Sequence, residues 1–469
     1  MAILWRPFLA MSAALLLPLA ALAHTGERGI VLTLPTGPFI LTAAFAVALT
    51  ALAAAAGARL PGFGARVLWQ RQALLPDGLT NWLASALLLA AVLAGFWGSR
   101  DPLSNPLPLL VWTVIWVLLT LISAIFGNVW RDLNPWVGPV RLLRRMLGRR
   151  GGIGLARLGH WPAVAGLFLF AWVEIVSVTP ADPGHLALLV SAYWLGIAAL
   201  AVLEGEAWLD KAEFLTVFFS LVARIAPFWA RYGQERGQDR GQVTVMGGWP
   251  GAQILTLPGL SASQIAFVTL ALASVSFDGL HQTFLWISAN GFQPLEYPGR
   301  SALMVTNSVG LLAAWAGMSL LTLGAVWLGM RLAGQGDNRL GSAAAAPLLV
   351  SFLPIATGYH LAHYFLSLLV QGQYALATFL DPRRWLSGAY GDGPSIALGF
   401  LSQKGAVLVI WLVQYGMILG AHLLAILLAE RIARRDDLRL PVAAHLPVAT
   451  LMVLYTCFGL WLLSAPVIG

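Results

Sequence analysis

The sequence predicts an all-α, polytopic membrane helix bundle of about ten transmembrane helices behind an N-terminal signal segment. Three observations carry this. Hydrophobic types make up 59% of the 469 residues and charged types 10%, with mean hydropathy +0.78; a soluble domain carries roughly 25% charged residues. Apolar stretches near the membrane-crossing length recur throughout the chain. The basic residues, 26 of 28 of them Arg, fall on alternate loops. Such a composition excludes a large soluble domain, a nucleic-acid-binding protein and a disordered scaffold. The single cysteine, Cys457, excludes an intrachain disulfide and a cysteine-based zinc or iron–sulfur site.

Residues 1–23 read as a secretion signal: Arg6 at the start, an apolar run from Leu9 to Leu22, and Ala21-Leu22-Ala23 before the cut. The alternative is an uncleaved first helix. Either reading puts His24 outside, as the first residue of a tail or, with its free amine, as a copper chelate. Residues 24–469 form a single multi-spanning domain. Spans are expected at 38–56, 79–98, 106–127, 160–178, 185–204, 264–289, 301–331, 345–371, 404–430 and 445–466.

The stretch 213–229 is the ambiguous one, because it is apolar on one face but carries Arg224 and Pro227. Charge decides the case. With 213–229 lying on the inner surface as an interfacial helix within the inner loop 205–263, 21 of the 28 basic residues fall in inner loops and 5 in outer ones. If it crossed, the run Arg431-Ile432-Ala433-Arg434-Arg435 would lie outside, against the positive-inside rule. The expectation is a multi-pass bacterial inner-membrane protein with both termini on the outer side. The inner loop 128–159 contains a basic amphipathic helix, Val140 to Leu147, suited to lipid headgroups. The outer loop 372–403, with Asp381-Pro382-Arg383-Arg384-Trp385 and Tyr390-Gly391-Asp392-Gly393-Pro394, reads as a lid or a passive cover.

Ionisable residues inside spans are the candidates for chemistry, because a charge at the bilayer centre costs about 2.5–3.5 kcal/mol on an insertion scale. Glu174, Asp278, His281, His360 and His363 fall at one depth on three helices, while His422 lies deeper toward the inner half. Asp278 and His281 share a helix face, as do His360 and His363. Imidazole and carboxylate pairs on facing helices suit a divalent transition metal: zinc, iron, manganese or copper. His360 and His363 would hold it, with Asp278 as third ligand or general base and His281 as a further ligand. Tyr359, Tyr364 and Gln414 are second-shell donors on this reading, and Glu174 and His422 are uncertain members. For His422 a helix–helix hydrogen bond is the favoured role.

The stretches Ser276-Phe277-Asp278-Gly279-Leu280-His281, Pro354 to Tyr364 (with Tyr359-His360-Leu361-Ala362-His363-Tyr364) and Val413-Gln414-Tyr415-Gly416 through His422 resemble a bacterial integral-membrane family named fenitrothion hydrolase. Trp130-Arg131-Asp132-Leu133-Asn134-Pro135 and Phe218 to Arg224 extend the likeness over most of the chain. The resemblance implies functional positions at Asp278, His360, His363, Gln414 and His422, and hydrolysis of organophosphate triesters. His281 departs from the family, which carries a small polar residue there.

Two functions follow as expectations. The first is a membrane-embedded metal-dependent hydrolase whose metal-bound water attacks a lipophilic phosphoryl or acyl ester. The second is a transporter or metal-handling protein moving a cation or protons through the intramembrane Asp and His. Membrane lipid is the expected partner of both, and nucleic acid of neither. A haem cytochrome fits less well, since no span carries two His thirteen or fourteen apart.

Overall fold

A computed structural model of the chain describes residues 36–58, 62–72, 78–232, 242–296, 298–334, 348–387, 396–435 and 441–465. The signal segment, His24 and the 390–394 run lie outside the described residues. The architecture is an all-α polytopic bundle, and among the described residues nine helices are long and apolar enough to cross a membrane. These are α1 (Thr36–Ala55), α2 (Leu79–Trp97), α3 (Pro106–Phe126), α6 (Pro183–Glu204), α8 (Ala262–His281), α9 (Arg300–Leu332), α10 (Leu353–Leu380), α11 (Lys404–Arg435) and α12 (Val442–Leu462). The expected span at 160–178 is a shorter apolar helix, α5 (Trp161–Ile175). The basic helix of the 128–159 loop is α4 (Val137–Met146), which leaves Leu142, Leu143 and Met146 exposed beside its arginines.

Several boundaries move. The expected span 264–289 breaks at His281, where Thr283 caps a separate short helix, Phe284–Ala289. The first part of the expected outer loop 372–403 is helical, because α10 continues to Leu380.

The segment 213–229 does not lie on a surface. Its helix, α7 (Phe214–Val222), buries eight of its nine residues. An interfacial helix keeps one face in the headgroups. Here Phe218 instead packs at 4.9 Å on Trp116 of α3 and at 5.5 Å on His360 of α10. The chain then turns at Ala226 into β2 (Phe228–Tyr232).

Sequence patterning gave no warning of a sheet, yet one is present. The strand β1 (Ala65–Gln72) from the α1–α2 loop pairs antiparallel with β3 (Gln242–Gly248), and β3 pairs antiparallel with β2. The register runs Ala65↔Gly248 to Gln72↔Gln242, with an irregularity between Val67 and Trp69. The sheet fixes topology. Between β1 and β3 stand α2, α3, α5 and α6, an even number of crossings, so α7 returns to the end of the bundle it left.

Further contacts gather at that same end, the basic rim. Arg434 donates to the Ala58 carbonyl, and Arg435 donates to the Leu255 carbonyl. Glu204 accepts from the amides of Ile153, Leu155 and Ala156. Arg131 lies 3.9 Å over the Tyr232 ring, and Tyr232 donates to Asp132 at 2.6 Å. Burial, with Asp132 beside it, pushes the Tyr232 phenol up to about 12. At the opposite rim Ser99 bonds the Trp385 carbonyl and Trp112 bonds the Pro180 carbonyl.

Candidate functional site

The structure gathers Glu174, Asp278, His363 and Tyr364 into one cluster near the opposite rim. Glu174 is the penultimate residue of α5, Asp278 sits one turn from the end of α8, and His363 and Tyr364 are adjacent on α10. Local sequence makes this possible. Gly279, beside Asp278, packs near the His363 ring, at a distance where a Cβ would make only ordinary contact. Arg300 opens α9 and donates to the carbonyls of Glu174 at 2.9 Å and Ser177 at 3.0 Å, satisfying the free end of α5.

The geometry is tight. His363 Nε2 lies 2.8 Å from Asp278 Oδ2. The Tyr364 hydroxyl lies 2.9 Å from Asp278 Oδ2 and 2.9 Å from Glu174 Oε1. A hydroxyl has one hydrogen. It donates to one carboxylate, and the other contact is a hydrogen bond only when that carboxyl carries a proton and donates to the phenol oxygen. The Tyr364 hydroxyl alone therefore cannot donate to both acids while both are ionised. The Trp116 indole N–H sits beside Glu174 and Tyr364 as a further donor facing the cluster. The site is not sealed: the His363 side chain is 21% exposed and that of Asp278 is 12% exposed.

The other expected members stand apart. His360 points away from His363, its Nε2 donating to the Trp116 carbonyl at 2.8 Å while its ring meets the Trp116 ring edge-on at 4.6 Å. That carbonyl sits in a widened π-helical stretch, Leu109–Leu118; such stretches loosen the regular ladder and frequently mark functional sites. His281 donates from Nδ1 to the Asp278 backbone carbonyl at 2.8 Å and lies 3.8 Å from Asp278 Oδ1. It backs the cluster without joining it. Gln414 donates to the Ala362 carbonyl at 2.8 Å, bracing α11 on α10. His422 donates from Nδ1 to the Ile418 carbonyl of its own helix, and Tyr359 is buried one turn below His363.

As a metal centre the expected set is dispersed. Among the described residues no three His, Cys, Asp or Glu side chains converge in a group suited to a metal ion. His360 Nε2, His281 Nδ1 and His363 Nε2 each face another acceptor. Glu174 and Asp278 are the anionic side chains of the cluster, joined through the Tyr364 hydroxyl.

Sequence reasoning passed over Glu213. It is fully buried and accepts from the amides of Leu215 and Thr216, from the Thr216 hydroxyl and from Tyr193. The Thr216 oxygen accepts in turn from Trp130 and Asn134, so the Trp130-to-Pro135 motif packs on the start of α7. The Glu-x-x-Thr spacing ahead of an apolar run was the available signal.

Compared with protein-family models, with curated proteins and with solved structures, the chain matches none.

Proposed function

We propose that the protein is a bacterial inner-membrane transporter that exchanges protons for a cation at Glu174, Asp278, Tyr364 and His363, with the basic rim facing the cytoplasm. The observation that carries this reading is the single Tyr364 hydroxyl set between two carboxylate oxygens. Two carboxylates beside each other in a low-dielectric bundle need a neutralising partner. A proton meets the need by neutralising one acid and letting it donate to the Tyr364 oxygen. A cation meets it by taking both acids as ligands. The two compete for the same atoms, and that competition is the basis of exchange. His363, on the exposed side of Asp278, is placed to take the proton as the cation arrives.

The metal-hydrolase expectation begins from the same residues but needs three converging ligands, and His360 and His281 are turned away from His363. It remains a distinguishable outcome of the test. Purified protein is placed in liposomes containing a pH-sensitive dye and challenged with external Na⁺, K⁺, Mn²⁺ or Zn²⁺. Proton release driven by one of these cations, and lost in Asp278→Asn, is the expected result. No cation-driven proton movement above empty liposomes, together with chelator-sensitive ester turnover in detergent, would replace exchange with hydrolysis.

A further inference from the structure

The cluster is partly exposed through His363, and exchange needs a route from the basic rim as well. A row of buried polar atoms marks one. Between α1, α9, α10, α11 and α12, at the basic rim, lies a cavity of about 60 Å³. Its polar lining is Glu430, His445 and Ser351. Glu430 is held by Arg434 at 2.8 Å through one oxygen, and its other oxygen faces His445 Nδ1 at 3.7 Å. Phe352 and Met452 close the inner end of this cavity, and both also line a second, smaller one of about 10 Å³ with Thr322 and Tyr455. A cavity of roughly 10–15 Å³ on this measure holds one water.

The row then continues to the cluster. The Tyr455 hydroxyl lies 2.5 Å from Ser276 Oγ on α8, two residues from Asp278. The His422 ring lies 5.9 Å from the Tyr455 ring, Tyr455 lies 5.8 Å from Tyr359, and Tyr359 lies 6.5 Å from His363. Along this line Thr322 Oγ1, His422 Nε2 and Tyr359 OH are buried with no hydrogen-bond partner among the described residues. An unsatisfied buried polar atom costs about 1–3 kcal/mol. Thr322 lines the smaller cavity, and His422 and Tyr359 follow it through the Tyr455 ring, so ordered water is one explanation for all three.

We infer that a hydrated half-channel runs from Glu430 and His445 at the basic rim, past Phe352 and Met452, to Tyr455, His422 and Tyr359 beneath His363. It carries water and protons. Glu430 and His445 form its protonatable mouth, with Arg434 the charged neighbour on α11. Phe352 and Met452 are its narrowest point. The inference rests on the exchange reading for its purpose, but its test does not.

In a Cys457→Ala background the chain has no cysteine. Thr322→Cys then places a thiol in the second cavity, where the native side chain is 2% exposed. Leu320→Cys places one at the same depth of α9, facing lipid, where the native side chain is 73% exposed. The probe is Ag⁺, a thiophilic ion near the size of water, scored by protection from later alkylation. Silver should block Thr322→Cys at least tenfold faster than Leu320→Cys, and Met452→Phe should slow the first and not the second. Equal rates in the two variants overturn the half-channel. If Thr322→Cys fails to fold, radiolytic hydroxyl labelling of the native protein decides: after division by each side chain's intrinsic reactivity, Met452 (2% exposed) should be oxidised well above Phe267 (1% exposed), and parity overturns it. Neither measurement needs a cargo. A dry path with Asp278-dependent exchange would sink the channel alone, and a wet path without exchange would sink the functional reading alone.

Discussion

Two buried acidic centres sit in this bundle, and they differ in how their hydrogen bonds balance. At Glu213, two amides, a threonine hydroxyl and a tyrosine hydroxyl supply four donors to one carboxylate. All four come from fixed positions, and the acid is satisfied as the anion. At Glu174 and Asp278, two carboxylates share one tyrosine hydrogen and one imidazole. The first centre serves as the cap of α7. The second sets two carboxylates against one tyrosine hydroxyl, with the Trp116 indole and His363 beside them. What differs is whether the donors belong to one acid or are shared by two.

The sharpest way to break this contrast is Asp278→Asn. It removes the charge and the shared acceptor, and cation-driven proton release should fall on the order of 100-fold, measured by dye-loaded proteoliposomes. Tyr364→Phe comes next. It leaves both carboxylates without the bridge, and exchange should fall about tenfold while the protein loses about 1–3 kcal/mol by thermal unfolding in detergent. Glu213→Gln sharpens the contrast from the other side. It weakens the cap of α7 at a cost of about 1–2 kcal/mol, yet the folded fraction should exchange at the wild-type rate. A large loss of exchange there would erase the distinction between the two centres. The smallest effect belongs to His281→Asn. The ring bonds a backbone carbonyl of its own helix, so exchange should change by less than about twofold.

The spans were legible because twenty apolar residues announce themselves without any partner. The common depth of Glu174, Asp278 and His363 was legible for a related reason: an ionisable residue is conspicuous in an apolar run. Which nitrogen of His360 faces which neighbour was not. Helices place residues three apart on one face, but His360 turns to the widened stretch of α3, and that distortion has no sequence signature. Tyr364 was seen as an outer donor and proved to be the bridge. Glu213 was passed over and α7 read as interfacial because the groups that bury them, Trp116, Trp130, Asn134, Tyr193 and His360, lie far off in sequence. The sheet escaped because β1 and β3 are brief strands in polar loops, far apart in sequence.

That distance has a consequence for how the molecule is made. The strand β1 is synthesised some 170 to 180 residues ahead of its partner, given the pairing of Gln72 with Gln242 and Ala65 with Gly248. At a translation rate of roughly 5–20 residues per second, it waits roughly 10 to 40 s with its edge open. Four helices insert during that wait. If any one of them failed to cross, β3 would emerge on the far side of the bilayer from β1 and the sheet could not close. The sheet therefore acts as a proofreading clasp, one that fastens only over a correctly threaded first half and leaves a misthreaded chain with an exposed edge for quality control to recognise.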